Sequence, residues 1–484
     1  MLNAPSPDLL ARLASLLGPK GFCAEAAAME PWLTDWRGRY TGAAAAMLSP
    51  STTEEAAEIV RLCAAGRVAL VPQGGNTSMV AGATPDASGR SLLLSLRRLN
   101  RIRSVDPTAR LALCEAGVIL ADLHDAALAA GRRFPLTLGA RGSATIGGLV
   151  ATNAGGTQVL RFGTMRGLVQ GIEAVLPDGG VFRGLSPIKK DNRGYDLNQL
   201  LIGSEGTLGI VTAASLKLAP AAGARVVAWA GFASPDQALR LLRSLDDTIE
   251  GFELVPKSAL DLVLAHVPAT RAPLREAHGW NALIEAVAPP GAEEPPLADA
   301  LAKAFGDGEI ADAVVASSES QAQALWYLRD SISEAERMDG PAAKHDISVE
   351  VARMPRFIRE ATEAVEARFA GTRVNAFGHL GDGNVHFNVR APHGSGPGWL
   401  AEVAPVITAF VHDLVVDAGG SISAEHGIGQ MKLAELARVG DPVRLRAMAA
   451  IKRALDPAGI MNPGKLVPPV DLAQESLAES RVRP

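Results

Sequence analysis

Apolar positions recur at helical spacing over residues 52–66, directly behind the hydroxyl run Ser51-Thr52-Thr53 and with Glu54 and Glu55 in the first turn. Small hydroxyl side chains cap a helix and early carboxylates suit its positive end, so a helix is predicted there. An amphipathic pattern of Leu9, Leu10, Leu13, Leu16 and Leu17 predicts helix near the N-terminus. At residues 68–71 the pattern becomes a short apolar run, a strand that leads straight into Pro72-Gln-Gly-Gly-Asn-Thr-Ser78. Farther on, apolar runs at 374–379 and 385–389 flank Gly381-Asp-Gly-Asn384, the composition of a hairpin loop. Residues 325–335 read as one helix with Arg329 and Ser333 a turn apart on one face, broken at Asp339-Gly-Pro341 before Lys344. The stretch 289–296 is a proline-rich, acidic surface connection, and 467–484 a polar tail expected to be loosely docked or disordered.

A chain of 484 residues, 48% hydrophobic and 20% charged, is expected to form two or three globular domains. Its net charge of −5 argues against a nucleic-acid partner and leaves room for a local basic pocket. Three scattered cysteines, Cys23, Cys63 and Cys114, do not make a disulfide framework or an iron–sulfur cluster. No apolar run is long enough to span a bilayer, and residues 1–20 lack a signal-peptide core. A cytoplasmic protein is expected.

Three passages are rich in glycine. In Pro72, Gln73, Gly74, Gly75, Asn76, Thr77 and Ser78, the glycines permit close backbone approach to an anion and the polar residues supply donors. A second runs from Leu138 to Gly156, and a third is Gly203-Ser-Glu-Gly-Thr-Leu-Gly-Ile-Val211. Neither a Rossmann fingerprint nor a P-loop occurs in the right context, so the three loops suggest an extended cofactor wrapped by one domain.

The strongest chemistry lies in the hairpin. Alternation in a strand sends His386 and Asn388 to one face, and His379 can face them from the partner strand. With Glu425, the two imidazoles make a three-ligand set with an open position, as in a catalytic metal site. His426 remains beside it as a base near neutral pH.

Residues from about 38 to 220 resemble the FAD-binding domain of the vanillyl-alcohol oxidase and p-cresol methylhydroxylase superfamily. Residues 221–466 resemble the C-terminal domain of FAD-linked D-2-hydroxy acid dehydrogenases, a group that includes the D-2-hydroxyglutarate and D-lactate enzymes. The motifs are Gly378-His-Leu-Gly-Asp-Gly-Asn-Val-His386, Ser423-Ala-Glu-His-Gly-Ile-Gly429 and Asp456-Pro-Ala-Gly-Ile-Met-Asn-Pro-Gly-Lys465. The resemblance implies an α+β fold: a helical segment over 1–37, an FAD domain over 38–220, a substrate and metal domain over 221–466, and the tail. It places FAD contacts on 72–78, on Leu138, Gly139, Ser143, Thr145, Gly147, Gly148, Asn153, Gly155 and Gly156, and on Glu205, Gly206, Gly209, Ile210 and Asn462. Asn76 stands where covalent members carry His, which implies non-covalent FAD. His379, His386 and Glu425 match ligands of a divalent metal (zinc, manganese or iron), and His426 the residue at the reacting carbon. Arg329, Ser333 and Lys344 match the grip on substrate carboxylates, with Asn388 nearby. The implied reaction is oxidation of a D-2-hydroxy acid, D-2-hydroxyglutarate foremost and D-lactate second. An electron-transfer flavoprotein, a quinone or a cytochrome would take the electrons, and a homodimer is the family's expectation. An oxygen-using 2-hydroxy acid oxidase and a non-catalytic binder stay open as alternatives.

Overall fold

The computed structural model describes residues 2–188, 190–396 and 398–469, so most of the predicted tail lies outside the described residues. The chain divides into two compact units: 1–155 with 163–219 and 425–484, and 156–162 with 220–424.

In the first unit the capped helix is Thr53–Gly66, with the Thr52 hydroxyl accepting the Glu55 amide and Arg67 closing it in the left-handed region. The N-terminal helix, Pro7–Gly21, carries a kink at Gly18. Both bury leucine and β-branched residues, including Leu13, Ile59 and Val60, with a small sheet in the order Phe22–Cys23, Ala46–Leu48, Leu92–Ser95, Leu70–Gln73. The strand expected at 68–71 is therefore set two residues later, because Leu70 to Gln73 are the ones paired in parallel with Leu92 to Ser95. A second, antiparallel sheet runs Ile102–Asp106, Leu111–Glu115, Ile210–Lys217, Val169–Val175, Val181–Arg183.

The stretch from 425, expected to continue the C-terminal domain, packs with the first unit. Its attachments are specific: the Leu70 amide donates to Ile460 O and the Asn462 amide donates to Leu70 O, both at 2.8 Å.

The second unit is built on a seven-stranded sheet in the order Asp312–Val315, Arg225–Phe232, Trp280–Val287, Ile249–Pro256, Arg373–His379, Asn384–Arg390, Ala342–Ser348. Because side chains alternate, each strand feeds two different layers. One face sends Phe252, Leu254, Ala376, Val385, Phe387 and Ile347 into a large core with Phe357, Ile358, Ile407 and Val411. The other face is divided. Trp229, Val255, Leu283 and Phe377 pack against apolar residues of the helices Lys257–His266, Glu319–Asp330 and Ile332–Met338. Toward the last three strands the same face turns polar, through Asn375, His379, Lys344, Asp346, His386, Asn388 and Arg390. The polar end of this otherwise apolar layer is the candidate site of the unit.

Candidate active site

The predicted hairpin forms, pairing Arg373–His379 with Asn384–Arg390 and setting His379 opposite Asn384 and Phe377 opposite His386. The Asp382 carboxylate accepts the Asn384 amide at 2.9 Å, which closes the turn. Gly383 has φ +82°, and a Cβ there would lie 2.1 Å from Val349 O, so both conformation and space demand glycine. His379 and His386 are diagonal neighbours rather than a directly opposed pair, with ring centroids 5.7 Å apart. His386 also packs on Phe377, centroid to centroid 5.1 Å, which fixes the ring plane.

Sequence reasoning missed what lies behind His379. Glu253, opposite it on the neighbouring strand, places one carboxylate oxygen 2.6 Å from His379 Nδ1 and accepts Arg329 Nε on the other at 2.7 Å. Burial works against this carboxylate, yet the Arg329 guanidinium and the His379 imidazole hold it well below the usual carboxylate range. An ionised acceptor on Nδ1 selects the tautomer that carries its proton there and leaves Nε2 with its lone pair for another partner. The signal in the sequence was an acidic residue inside the apolar run Gly251-Phe-Glu-Leu-Val-Pro256, a burial that demands a partner.

Lys344 and Asn388 are paired across adjacent strands, and Asn375 faces Asn388 from the third. All three converge on Glu336, which is fully buried: its Oε2 lies 3.2 Å from Lys344 Nζ and accepts Asn388 Nδ2 at 2.7 Å, while Oε1 accepts Asn375 Nδ2 at 2.7 Å. The expected single helix is two, Glu319–Asp330 and Ile332–Met338, meeting at Ser331. Arg329 and Ser333 therefore fall on separate helices; Ser333 is exposed and its carbonyl, not its hydroxyl, meets Lys344. Arg329 and Lys344, expected as cations for substrate carboxylates, each already face a buried glutamate of the protein.

In the first unit the glycine-rich passages converge. A Cβ on Gly74 would lie 2.1 Å from Thr145 Oγ1, and one on Gly75 only 1.8 Å from Ser143 O, so the first loop rests on the backbone of the second. A Cβ on Gly206, whose φ is +72°, would lie 2.4 Å from Pro72 Cγ. The Gly203 and Glu205 amides donate to Val150 O and Ala151 O of the Ile146–Thr152 helix, tying the third passage to the second. Asn462 Nδ2 spans Gly82 O and Glu205 O at 3.0 and 2.7 Å.

Individual residues differ from a pure cofactor role. Asn76, at φ +55°, donates Nδ2 to Thr34 O at 2.9 Å, and the Ser78 hydroxyl accepts the Gly82 amide. Gly147 packs on Ala116, and Ile210 opens a buried strand. The Glu205 carboxylate accepts the Ile428 and Gly429 amides at 2.8 and 2.7 Å; burial pushes its pKa up against those two bonds. Glu425 and His426 begin this returning segment of the first unit.

Around the three passages, Gln73 Oε1, Thr84 Oγ1, Thr145 Oγ1 and Asn462 Oδ1 are buried without a hydrogen-bond partner. Buried polar atoms are normally satisfied, so a row of orphans beside a glycine cradle fits a polar cofactor such as FAD. For a metal the fit is partial. The imidazole pair backed by Glu253 has suitable chemistry, but no group of three or more His, Cys, Asp or Glu side chains with metal-holding geometry occurs among the described residues. No helix among the described residues is long and apolar enough to cross a membrane. Cys23, Cys63 and Cys114 are free, and burial pushes the thiols of the last two up to about 12.

Residues 222–466 match the family described as FAD linked oxidases, C-terminal domain, and residues 44–184 match an FAD binding domain. The chain is 36% identical over 459 residues to a mitochondrial D-2-hydroxyglutarate dehydrogenase of Arabidopsis thaliana, covering 94% of this chain and 80% of that protein. It is 37% identical to the mitochondrial enzyme of the same name from Bos taurus (91% and 80%). A D-2-hydroxyglutarate dehydrogenase of Xanthomonas citri is 36% identical (91% and 93%). Among solved structures, p-cresol methylhydroxylase with substrate bound superposes with a TM-score of 0.72 at 16% identity, over 96% of this chain and 97% of that one. An alkyldihydroxyacetonephosphate synthase gives 0.72 at 17% identity, over 96% and 85%.

Proposed function

From a chain that belongs to the FAD-linked oxidases, a flavoprotein oxidoreductase with an FAD-binding and a C-terminal oxidase region, we propose oxidation of D-2-hydroxyglutarate to 2-oxoglutarate. The observation that carries this reading is the likeness, at 36 to 37% identity over nine-tenths of the chain, to D-2-hydroxyglutarate dehydrogenases of a plant, an animal and a bacterium. FAD, when bound, supplies the acceptor for the hydride leaving C2. The resemblance of Asn76 to the attachment position supports non-covalent binding, and its amide is engaged with the Thr34 carbonyl.

The residues of the second unit then have defined work. Glu253 holds His379 in one tautomer and one orientation, and Phe377 and the hairpin hold His386 beside it. Fixed donors at the reacting centre lower the reorganisation a reaction must undergo. We propose His379 and His386 as ligands of a divalent metal, with Glu425 as the candidate third and zinc, manganese or iron as the ion. Held there, such an ion would supply Lewis acidity toward the hydroxyl of an α-hydroxy carboxylate. His426 is proposed as the base that takes the hydroxyl proton. Arg329, Ser333, Lys344 and Asn388 are proposed to line the substrate. A soluble electron carrier or quinone as acceptor, a homodimer, and a reducing, cytoplasmic setting suited to three free thiols complete the proposal.

Anaerobic addition of D-2-hydroxyglutarate to the purified yellow protein should bleach the flavin absorbance, with D-malate and D-lactate acting more slowly. A kcat/KM highest for D-lactate would overturn the substrate and leave the flavin chemistry standing. Prolonged chelation should abolish bleaching while the flavin stays bound; full bleaching in protein shown metal-free by elemental analysis would remove the metal.

A further inference from the structure

We infer that Glu336 is a specificity-determining residue, which tunes how strongly the site takes a second substrate carboxylate by occupying Lys344, Asn388 and Asn375 from inside the protein. The inference rests on the proposed 2-hydroxy acid chemistry and names a residue that no part of that chemistry uses.

The geometry is a row. Lys344, Asn388 and Asn375 lie side by side across three hydrogen-bonded strands, all on the face that carries His386 and His379. Asn388 is two residues from His386 on the same strand, so the row sits one same-face step, roughly 7 Å, along the sheet from the imidazoles. An α-hydroxy carboxylate held at the imidazoles directs its remaining carbons across this sheet face, and a five-carbon diacid is long enough to bring its far carboxylate to the next row.

That row is already answered by an anion. Glu336 descends from the Ile332–Met338 helix, has no exposed surface, and takes a donor from each of the three side chains. A substrate carboxylate arriving at Lys344 meets a cation whose charge is largely cancelled, and it meets the Glu336 carboxylate at short range. Like charges in a partly desolvated site repel strongly, whereas a hydroxyl, amide or short alkyl tail meets no such penalty. The two asparagines make the arrangement hard to relax, because each would be left with a buried amide lacking an acceptor if Glu336 swung away.

Glu336→Gln tests this without a large structural change, since the amide keeps the shape and an acceptor for the row while removing the charge. The readout is the ratio of kcat/KM for D-2-hydroxyglutarate to that for D-lactate in the flavin-loaded enzyme, with D-malate as the shorter diacid. The ratio should rise about tenfold, the value of one charge-assisted contact released to the substrate. The gain should vanish in Glu336→Gln with Lys344→Met, because it acts through that ammonium. An unchanged or lower ratio in a Glu336→Gln protein whose melting temperature and flavin spectrum match the wild type overturns the inference. If Glu336→Gln alone does not fold, Lys344→Met compared with the double variant decides. Lys344→Met leaves the Glu336 carboxylate without its counter-charge, so the ratio should fall about tenfold and return near the wild-type value in the double variant, and equal ratios in the two variants overturn the inference. A wild type that oxidises no 2-hydroxy acid fails the functional reading itself, a result distinct from either ratio.

Discussion

The two units build their polar regions by opposite means. In the first, the cradle is made by what is missing: Gly74, Gly75 and Gly206 let backbone press on backbone at distances no Cβ tolerates, and orphaned oxygens wait beside them. In the second, the site is made by what is present, ionisable side chains on and over one sheet face, of which Arg329, Lys344 and His379 each meet a buried glutamate. A backbone cradle is insensitive to pH and salt but fails at a single added methyl. A charged network survives small changes of shape but fails when one charge goes.

The largest effect should come from Gly75→Ala. Its Cβ would meet the rigid Ser143 carbonyl at 1.8 Å, so the first loop must leave the second. Purified variant should carry little flavin by its absorbance; normal flavin content would mean that the contact of these loops does not shape the cofactor site.

Next comes Glu253→Gln, which leaves Arg329 and His379 facing a neutral amide inside the protein. Breaking a buried ion pair on one side costs about 3 to 5 kcal/mol, and losing the carboxylate behind a ligating histidine about ten- to a hundredfold in metal affinity. Thermal melts and elemental analysis should both fall while flavin content stays near normal. Loss of flavin instead would blur the division between the two regions.

A pH experiment probes a strongly perturbed cation of the first unit. Lys465 is buried, and desolvation lowers its pKa to about 8 against the opposing pull of Asp86 and Glu205. A lysine depressed in the folded state is disfavoured when charged, so the cost is full below about pH 8 and disappears as pH rises toward about 10.4. Lys465→Met should therefore be the more stable protein at pH 7 by up to about 3 kcal/mol, with the two melting curves converging toward pH 10. Equal separation at both pH values would rule out the buried charge as the cause.

The smallest effect serves as the control. Gly142 lies in the second glycine passage but is not among the expected cofactor contacts, and a Cβ there meets nothing within 4 Å. Gly142→Ala should keep flavin content and melting temperature within experimental scatter.

How much of this was legible in the residues follows the same division. The capped helix at Thr53–Gly66 and the hairpin around Asp382 rest on neighbours in sequence, and the pattern reached them. The glycine passages were legible as a set, and the structure brings the three together. Glu253 and Glu336 were not, since their meaning lies in partners far along the chain, His379 and Asn388 among them, and only burial reveals the need for those partners. Arg329 and Lys344 were found, but the sequence could not tell a cation offered to a ligand from one already answered. The placement of 425–466 escaped as well, because the bonds from Leu70 and Glu205 are set by tertiary packing.

That last placement bears on how the protein comes to exist. The parallel bridge between Leu70 and Met461 cannot form until nearly the whole chain has been made. At ordinary synthesis rates of about 5 to 20 residues per second, the strand at Leu70–Gln73 waits roughly 20 to 80 seconds on the ribosome for this neighbour. In the last part of that interval, once residue 424 has been made, the second unit, whose residues are nearly all contiguous, has its complete sequence and the first does not. The domain that begins first in the chain is thus the last to close, and chaperone binding during translation should fall on its unfinished leucine-rich sheet.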